Sequence, residues 1–120
     1  MYTITKEFSF EASHCLNHLP QGHPCCRVHG HSYKVIIELK SSRLNEFDMV
    51  VDFRDLSWVK DWIDRIFDHK HLNDIFDKEN LPSTSENIAY LIYTIIKKKY
   101  NQLSAVTVKE TDKTSARYEE

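Results

Sequence analysis

Two stretches of this chain alternate apolar and polar residues with a period of two, and each ends its apolar row on histidine. From Tyr2 to His14 the even positions carry mostly apolar residues, Ile4, Phe8, Phe10 and Ala12 among them, before His14. From His29 to Leu39 the odd positions carry His29, His31, Tyr33, Val35, Ile37 and Leu39. A strand places alternate side chains on one face, so both rows call for a half-buried sheet with imidazoles at its end. A His-x-His pair alone is more often a pair of ordinary strand residues than a metal site. With His14 on the matching row and Cys25 close by, two neighbouring strands would present three neutral imidazoles to one ion and leave a fourth position open. That donor set is the one used by catalytic zinc, whereas structural zinc is cysteine-rich and closed.

The remaining composition narrows the classes of function. With 120 residues, one domain spanning 1–120 is expected, long enough for a core and short enough that a site would be shared between subunits. A net charge of -2 argues against a general nucleic-acid or membrane-surface binder. Lys97, Lys98 and Lys99 fall at the end of an expected helix, where they suit its dipole. The sequence shows no signal-peptide core and no bilayer-length apolar run, so the cytoplasm is the expected compartment. Cys15, Cys25 and Cys26 cannot all pair within one chain and are read as reduced thiols. Two glycines and three prolines leave little room for a phosphate-cradling loop.

In chain order, a strand over about 2–13 leads through a turn-rich loop punctuated by Pro20 and Gly22 to the cysteine pair. A second strand is expected over about 31–40. Asp52 then reads as a helix N-cap, with Asp55 in a box-like position and Leu56, Val59, Trp62, Ile63 and Ile66 at helical spacing. Trp58 and Trp62 read as core or subunit-contact residues rather than a base-stacking platform. Asp68 beside His69 suggests a carboxylate that orients a histidine for proton transfer, though such pairs are common on surfaces. Ser83, Thr84 and Ser85 supply caps before the stripe of Ile88, Leu91, Ile92, Ile95 and Ile96. Ser104 to Glu110 alternates as a strand, and Thr114 to Glu120 is expected to pair with it. Glu110 ends the row of Val106 and Val108, where a carboxylate must be paired or await a ligand with hydrogen-bond donors. Strands, then helices, then strands give an α+β sheet with the helices on one face.

Six segments in this order resemble the 6-pyruvoyl-tetrahydropterin synthase family, most closely its 6-carboxy-tetrahydropterin synthase branch in queuosine biosynthesis. They are Phe10-Glu11-Ala12-Ser13-His14, Cys25-Cys26-Arg27-Val28-His29-Gly30-His31, Val51-Asp52-Phe53, Asp68-His69-Lys70-His71-Leu72-Asn73, Thr84-Ser85-Glu86-Asn87 and Val108-Lys109-Glu110-Thr111. The resemblance implies a tunnelling fold, a four-stranded antiparallel sheet with two helices on one face in the order ββααββ. It also implies a homohexamer built as a dimer of trimers, with the active site between subunits. By position, His14, His29 and His31 correspond to zinc ligands, Cys25 to the catalytic thiol, and Asp68 and His69 to an acid/base pair. Glu110 corresponds to the anchor of the pterin ring, with Thr84 and Ser85 near the same ring; Arg27 and Lys109 are candidates for the triphosphate. The sequence departs from the family pattern at Cys26 and Asp48, where relatives often have glycine, and at Ser83, which lengthens a loop.

The implied reaction is zinc-dependent conversion of 7,8-dihydroneopterin triphosphate to 6-carboxy-tetrahydropterin, acetaldehyde and triphosphate. The Cys-x-x-x-His-Gly-His spacing from Cys25 to His31 favours this branch over the 6-pyruvoyl synthase reaction, which keeps the three-carbon side chain. A non-catalytic zinc- or pterin-binding oligomer is a rival of another class. A thiol redox protein ranks last, because adjacent cysteines lack the Cys-x-x-Cys spacing.

Overall fold

The computed structural model describes residues 1–120. Its main elements are β1 (Tyr2–His14), β2 (His29–Ser41), α1 (Ser57–Ile66), β3 (Lys70–His71), α2 (Asn73–Phe76), α3 (Ser85–Lys97), β4 (Leu103–Thr111) and β5 (Thr114–Glu119). The strands form one sheet in the order β3-β1-β2-β4-β5. β1 and β2 pair antiparallel without a break from Tyr2 opposite Ser41 to His14 opposite His29. The matched parity brings both apolar rows to one face. Phe8, Phe10, Tyr33, Val35, Ile37, Val106 and Val108 from the sheet are buried with Val59 and Ile63 of α1 and Ile88, Ile92 and Ile96 of α3. Each such side chain contributes about 1.5–3 kcal/mol when fully withdrawn from water. Phe10 stacks on Tyr33 at 4.8 Å and on Phe67 at 5.4 Å, tying the sheet to the end of α1.

The α+β class holds, but the sheet has five strands instead of four, is not wholly antiparallel, and the order is ββαβααββ instead of ββααββ. The extra strand, β3, contributes two residues and runs parallel to β1, with Lys70 opposite Ala12 and His71 opposite Ser13. Two residues are too few to carry a period, and main-chain bonds hold them: His69 N–H donates to Glu11 O at 2.6 Å and Leu72 N–H to Ser13 O at 2.8 Å. The chain turns into β3 through His69, whose φ of 56° lies in the left-handed region. The third helix, α2, is a single turn that follows directly.

Other boundaries shift for local reasons. Asp52 does cap a helix, its Oδ1 accepting Arg54 N–H at 2.9 Å, but the helix is a 3-10 turn over Phe53–Leu56, and α1 begins only at Ser57. Asp48 has φ 62°, which explains why glycine suits this place: without a Cβ, the left-handed conformation carries no steric cost. Lys97 is not simply solvated, since its Nζ donates to Asn101 O and Leu103 O, both at 2.8 Å, closing the turn into β4. Trp58 and Trp62 pack against the core, and Trp58 Nε1–H donates to Tyr100 Oη at 3.0 Å.

Candidate metal centre and active site

The site grows out of the β1–β2 register. Pairing His14 with His29 puts both rings on the inner face at one end of the sheet, and His31 lies one step further along the same row. Gly30 lets the strands approach, because a Cβ there would sit only 3.3 Å from Ala12 O. The rings of His14, His29 and His31 stand edge to face at 4.5, 5.2 and 4.9 Å between centroids. His14 Nδ1–H donates to Ser83 O at 2.8 Å and His29 Nδ1–H to Arg27 O at 2.7 Å. These carbonyls fix the tautomers and leave each Nε2 with a free lone pair. His14 is fully buried and its Nε2 has no partner in the protein.

Glu110 comes into the same cluster from β4. Its Oε1 lies 2.9 Å from His31 Nε2, a close approach whose direction is too poor for a hydrogen bond, and its Oε2 accepts Ser85 Oγ–H at 2.8 Å. The ligand atoms of His14, His29, His31 and Glu110 all lie within 4.8 Å of one another. Burial pushes His14 below its ordinary pKa, against the pull of the Ser83 carbonyl. Burial also lowers His31, opposed by Glu110 and reinforced by His29. Both rings are therefore biased to the neutral form that a cation requires. Buried, unpartnered imidazole nitrogens beside one carboxylate suit a divalent metal. Tyr33 adjoins this group; burial first, and then Glu110, raise its hydroxyl far above the usual phenol range, so it stays a neutral donor.

The remaining sequence-named residues are not among the clustered ligand atoms. Cys25 sits on a 3-10 turn over Pro24–Cys26, its carbonyl accepting Leu16 N–H at 2.8 Å and its N–H donating to His23 Nδ1 at 3.0 Å. Cys26 turns its thiol toward Leu19 O and Pro20 O, at 3.6 and 3.5 Å. Asp68 and His69 form a pair, Oδ2 to Nδ1 at 2.9 Å, while Asp68 Oδ1 accepts Glu11 N–H at 2.8 Å. Those two hydrogen bonds, backbone first, hold the Asp68 carboxyl below its ordinary value. The His69 ring is 79% exposed and open to a neighbouring molecule. Thr84 Oγ1 caps α3 by accepting Asn87 N–H at 3.3 Å. None of the four surface concavities is lined by a residue of the histidine cluster.

The sequence reading did not connect Ser83 or Asn73 to the histidines. Both are buried, and Ser83 supplies the carbonyl that His14 bonds. The available signal was its place as an added residue next to the capping pair, which gave no hint of the long-range partner.

An α+β sheet that gathers three histidines and a glutamate from β1, β2 and β4 defines a candidate metal-dependent enzyme of the pterin-synthase kind. A family model described as 6-pyruvoyl tetrahydropterin synthase matches residues 3–120, and the chain belongs to that family. It is 40% identical, over 98% of its length and 93% of the relative's, to a 6-carboxy-5,6,7,8-tetrahydropterin synthase of Synechocystis sp.. It is 34% identical to the Haemophilus influenzae protein of the same name, over 92% of this chain and 76% of that one. The solved 6-pyruvoyl tetrahydropterin synthase of Caenorhabditis elegans superposes with a TM-score of 0.86 at 25% identity, covering 99% of this chain and 95% of that one. No helix is long and apolar enough to cross a membrane.

Proposed function

We propose that this chain is a zinc-dependent 6-carboxy-5,6,7,8-tetrahydropterin synthase, acting on 7,8-dihydroneopterin triphosphate with loss of triphosphate and acetaldehyde, in queuosine biosynthesis. The observation that carries the reading is the convergence of His14, His29 and His31 at the end of two paired strands, in a chain 40% identical to a protein of that name. The three histidines would hold the zinc, which when bound acidifies substrate hydroxyls and polarises an adjacent carbonyl. Cys25 removes a side-chain proton, and His69, oriented by Asp68, moves a proton at a second centre. Glu110 accepts N–H bonds from the aminopyrimidinone edge, its carboxylate steadied by Ser85; Thr84 lies beside the same ring.

The His69 ring, solvent-exposed and not among the clustered ligand atoms, supports a site completed by a second copy. Only Ala12 and Ser13 of β1 pair with β3, and β5 pairs only with β4, so both sides of the sheet present free strand edges. Such edges favour pairing between copies. Three copies closing edge to edge, and two such rings stacked, form the homohexamer. We read residues 1–120 as one such domain and place the enzyme in the cytoplasm, where its three free cysteines stay reduced.

The zinc-loaded protein is expected to release acetaldehyde in step with triphosphate, measured by mass spectrometry of the products. The structural likeness to a 6-pyruvoyl synthase keeps one rival open. Accumulation of 6-pyruvoyl-tetrahydropterin without acetaldehyde would establish that reaction, and binding without turnover would establish a non-catalytic protein.

Glu110 separates ring recognition from metal binding. Glu110→Ala is expected to weaken a pterin analogue by about 2–4 kcal/mol in calorimetry, since the ring loses a charged acceptor, and to retain zinc. Unchanged analogue affinity, or loss of zinc, would make Glu110 something other than the ring anchor.

A further inference from the structure

We propose that Asn73 and Ser83 form a buried strut that sets the orientation of His14 and, through it, the affinity of the histidine cluster for its metal. The inference rests on the reading of that cluster as a metal site. Three separate pieces of chain meet here: the end of β1, the first residue of α2 and the loop before α3. Asn73 clasps the residue after His14 by both main-chain groups, its Oδ1 accepting Cys15 N–H at 2.9 Å and its Nδ2–H donating to Cys15 O at 2.8 Å. The same Oδ1 accepts Ser83 Oγ–H at 3.2 Å, and Ser83 O accepts His14 Nδ1–H at 2.8 Å. One amide thus fixes both the backbone that carries His14 and the carbonyl that aims its ring.

Burial makes the arrangement informative. Asn73 is 5% exposed and Ser83 fully buried, places where polar side chains are costly unless every bond is made. A one-turn helix is not stable by itself, so α2 holds its place through its contacts, with Leu72 N–H on Ser13 O at 2.8 Å. The unpartnered Nε2 of His14 lies across the ring from the strut, so a tilt at Nδ1 displaces the ligand atom. Partners of this kind orient metal-binding imidazoles and tune affinity. Asn73 and Ser83 are positioning residues that need touch neither metal nor substrate.

The test compares Asn73→Ala and Ser83→Ala with Trp58→Phe, which removes the Trp58–Tyr100 hydrogen bond away from the histidines. Zinc affinity is measured by competition with a chromophoric chelator, and ligand geometry by the visible spectrum of the cobalt(II)-substituted protein. The expected result is zinc binding weakened about tenfold to a hundredfold in Asn73→Ala, with an altered cobalt spectrum, and unchanged affinity in Trp58→Phe. Ser83→Ala keeps the carbonyl and loses only the hydroxyl; it is expected to weaken zinc about tenfold. It decides the matter alone if Asn73→Ala does not fold. Wild-type affinity and spectrum in folded Ser83→Ala, or in folded Asn73→Ala, would overturn the strut. Wild-type protein that binds no zinc would overturn the metal site itself.

Discussion

His29→Ala is expected to abolish metal retention and turnover together while leaving a folded protein. The ring sits at the mouth of the cluster, and its Nδ1–H is held by Arg27 O at 2.7 Å, so it is pre-aimed without being part of the core. The apolar rows that hold β1 against β2 begin further along, at Phe10, Tyr33 and Val35, and alanine at position 29 leaves them in contact. The melting temperature of the metal-free protein should therefore stay near that of the wild type. Zinc in four-ligand peptides is held by about 10–16 kcal/mol, so one ligand is worth on the order of 3 kcal/mol, or about a hundredfold in affinity. The two remaining histidines would then hold zinc too weakly to survive dialysis. Elemental analysis gives the answer: full zinc occupancy in the variant would remove His29 from the ligand set.

How much of this arrangement can be read from the residues depends on how far each signal extends along the chain. Long rows are legible: the period of two over Tyr2–His14 and His29–Leu39 puts His14, His29 and His31 on one face, and Val106, Val108 and Glu110 share a row on β4. Cys25, Asp68 and His69 have no periodic signature: adjacency alone singles them out, and the family resemblance supplies their roles. Short elements are not legible. Lys70–His71 becomes a strand only because the edge of β1 is free beside it, and Asn73–Phe76 becomes a helix only because Leu72 is pinned to Ser13. Nor does local pattern reveal that Ser83, which reads as one more capping residue, reaches 69 positions back to His14. Glu110 shows the same limit: its burial need was visible, while its approach to His31 depends on the register of a third strand.

The two adjacent thiols should separate cleanly in function. Cys25→Ala is expected to reduce turnover by roughly 10²–10⁴-fold, the usual contribution of a positioned proton-transfer group, and to leave zinc content unchanged. The turn that carries Cys25 is held through the main-chain groups of that residue, its carbonyl accepting Leu16 N–H and its N–H donating to the His23 ring Nδ1, and neither bond involves the sulfur. Alanine therefore removes the thiol without releasing the turn. Cys26 turns its sulfur against the carbonyls of Leu19 and Pro20 at 3.6 and 3.5 Å, contacts that are weak for a thiol donor. It also stands where relatives often have glycine, yet its φ is not in the left-handed region, so cysteine fits without strain. Cys26→Gly should cost about 0.5–1 kcal/mol through the added freedom of the unfolded chain and keep most of the turnover. Steady-state rates and zinc content measured on both variants decide the assignment. Turnover lost in Cys26→Gly and kept in Cys25→Ala would mean that the other sulfur takes the proton, and that the turn over Pro24–Cys26 presents its second cysteine to the substrate.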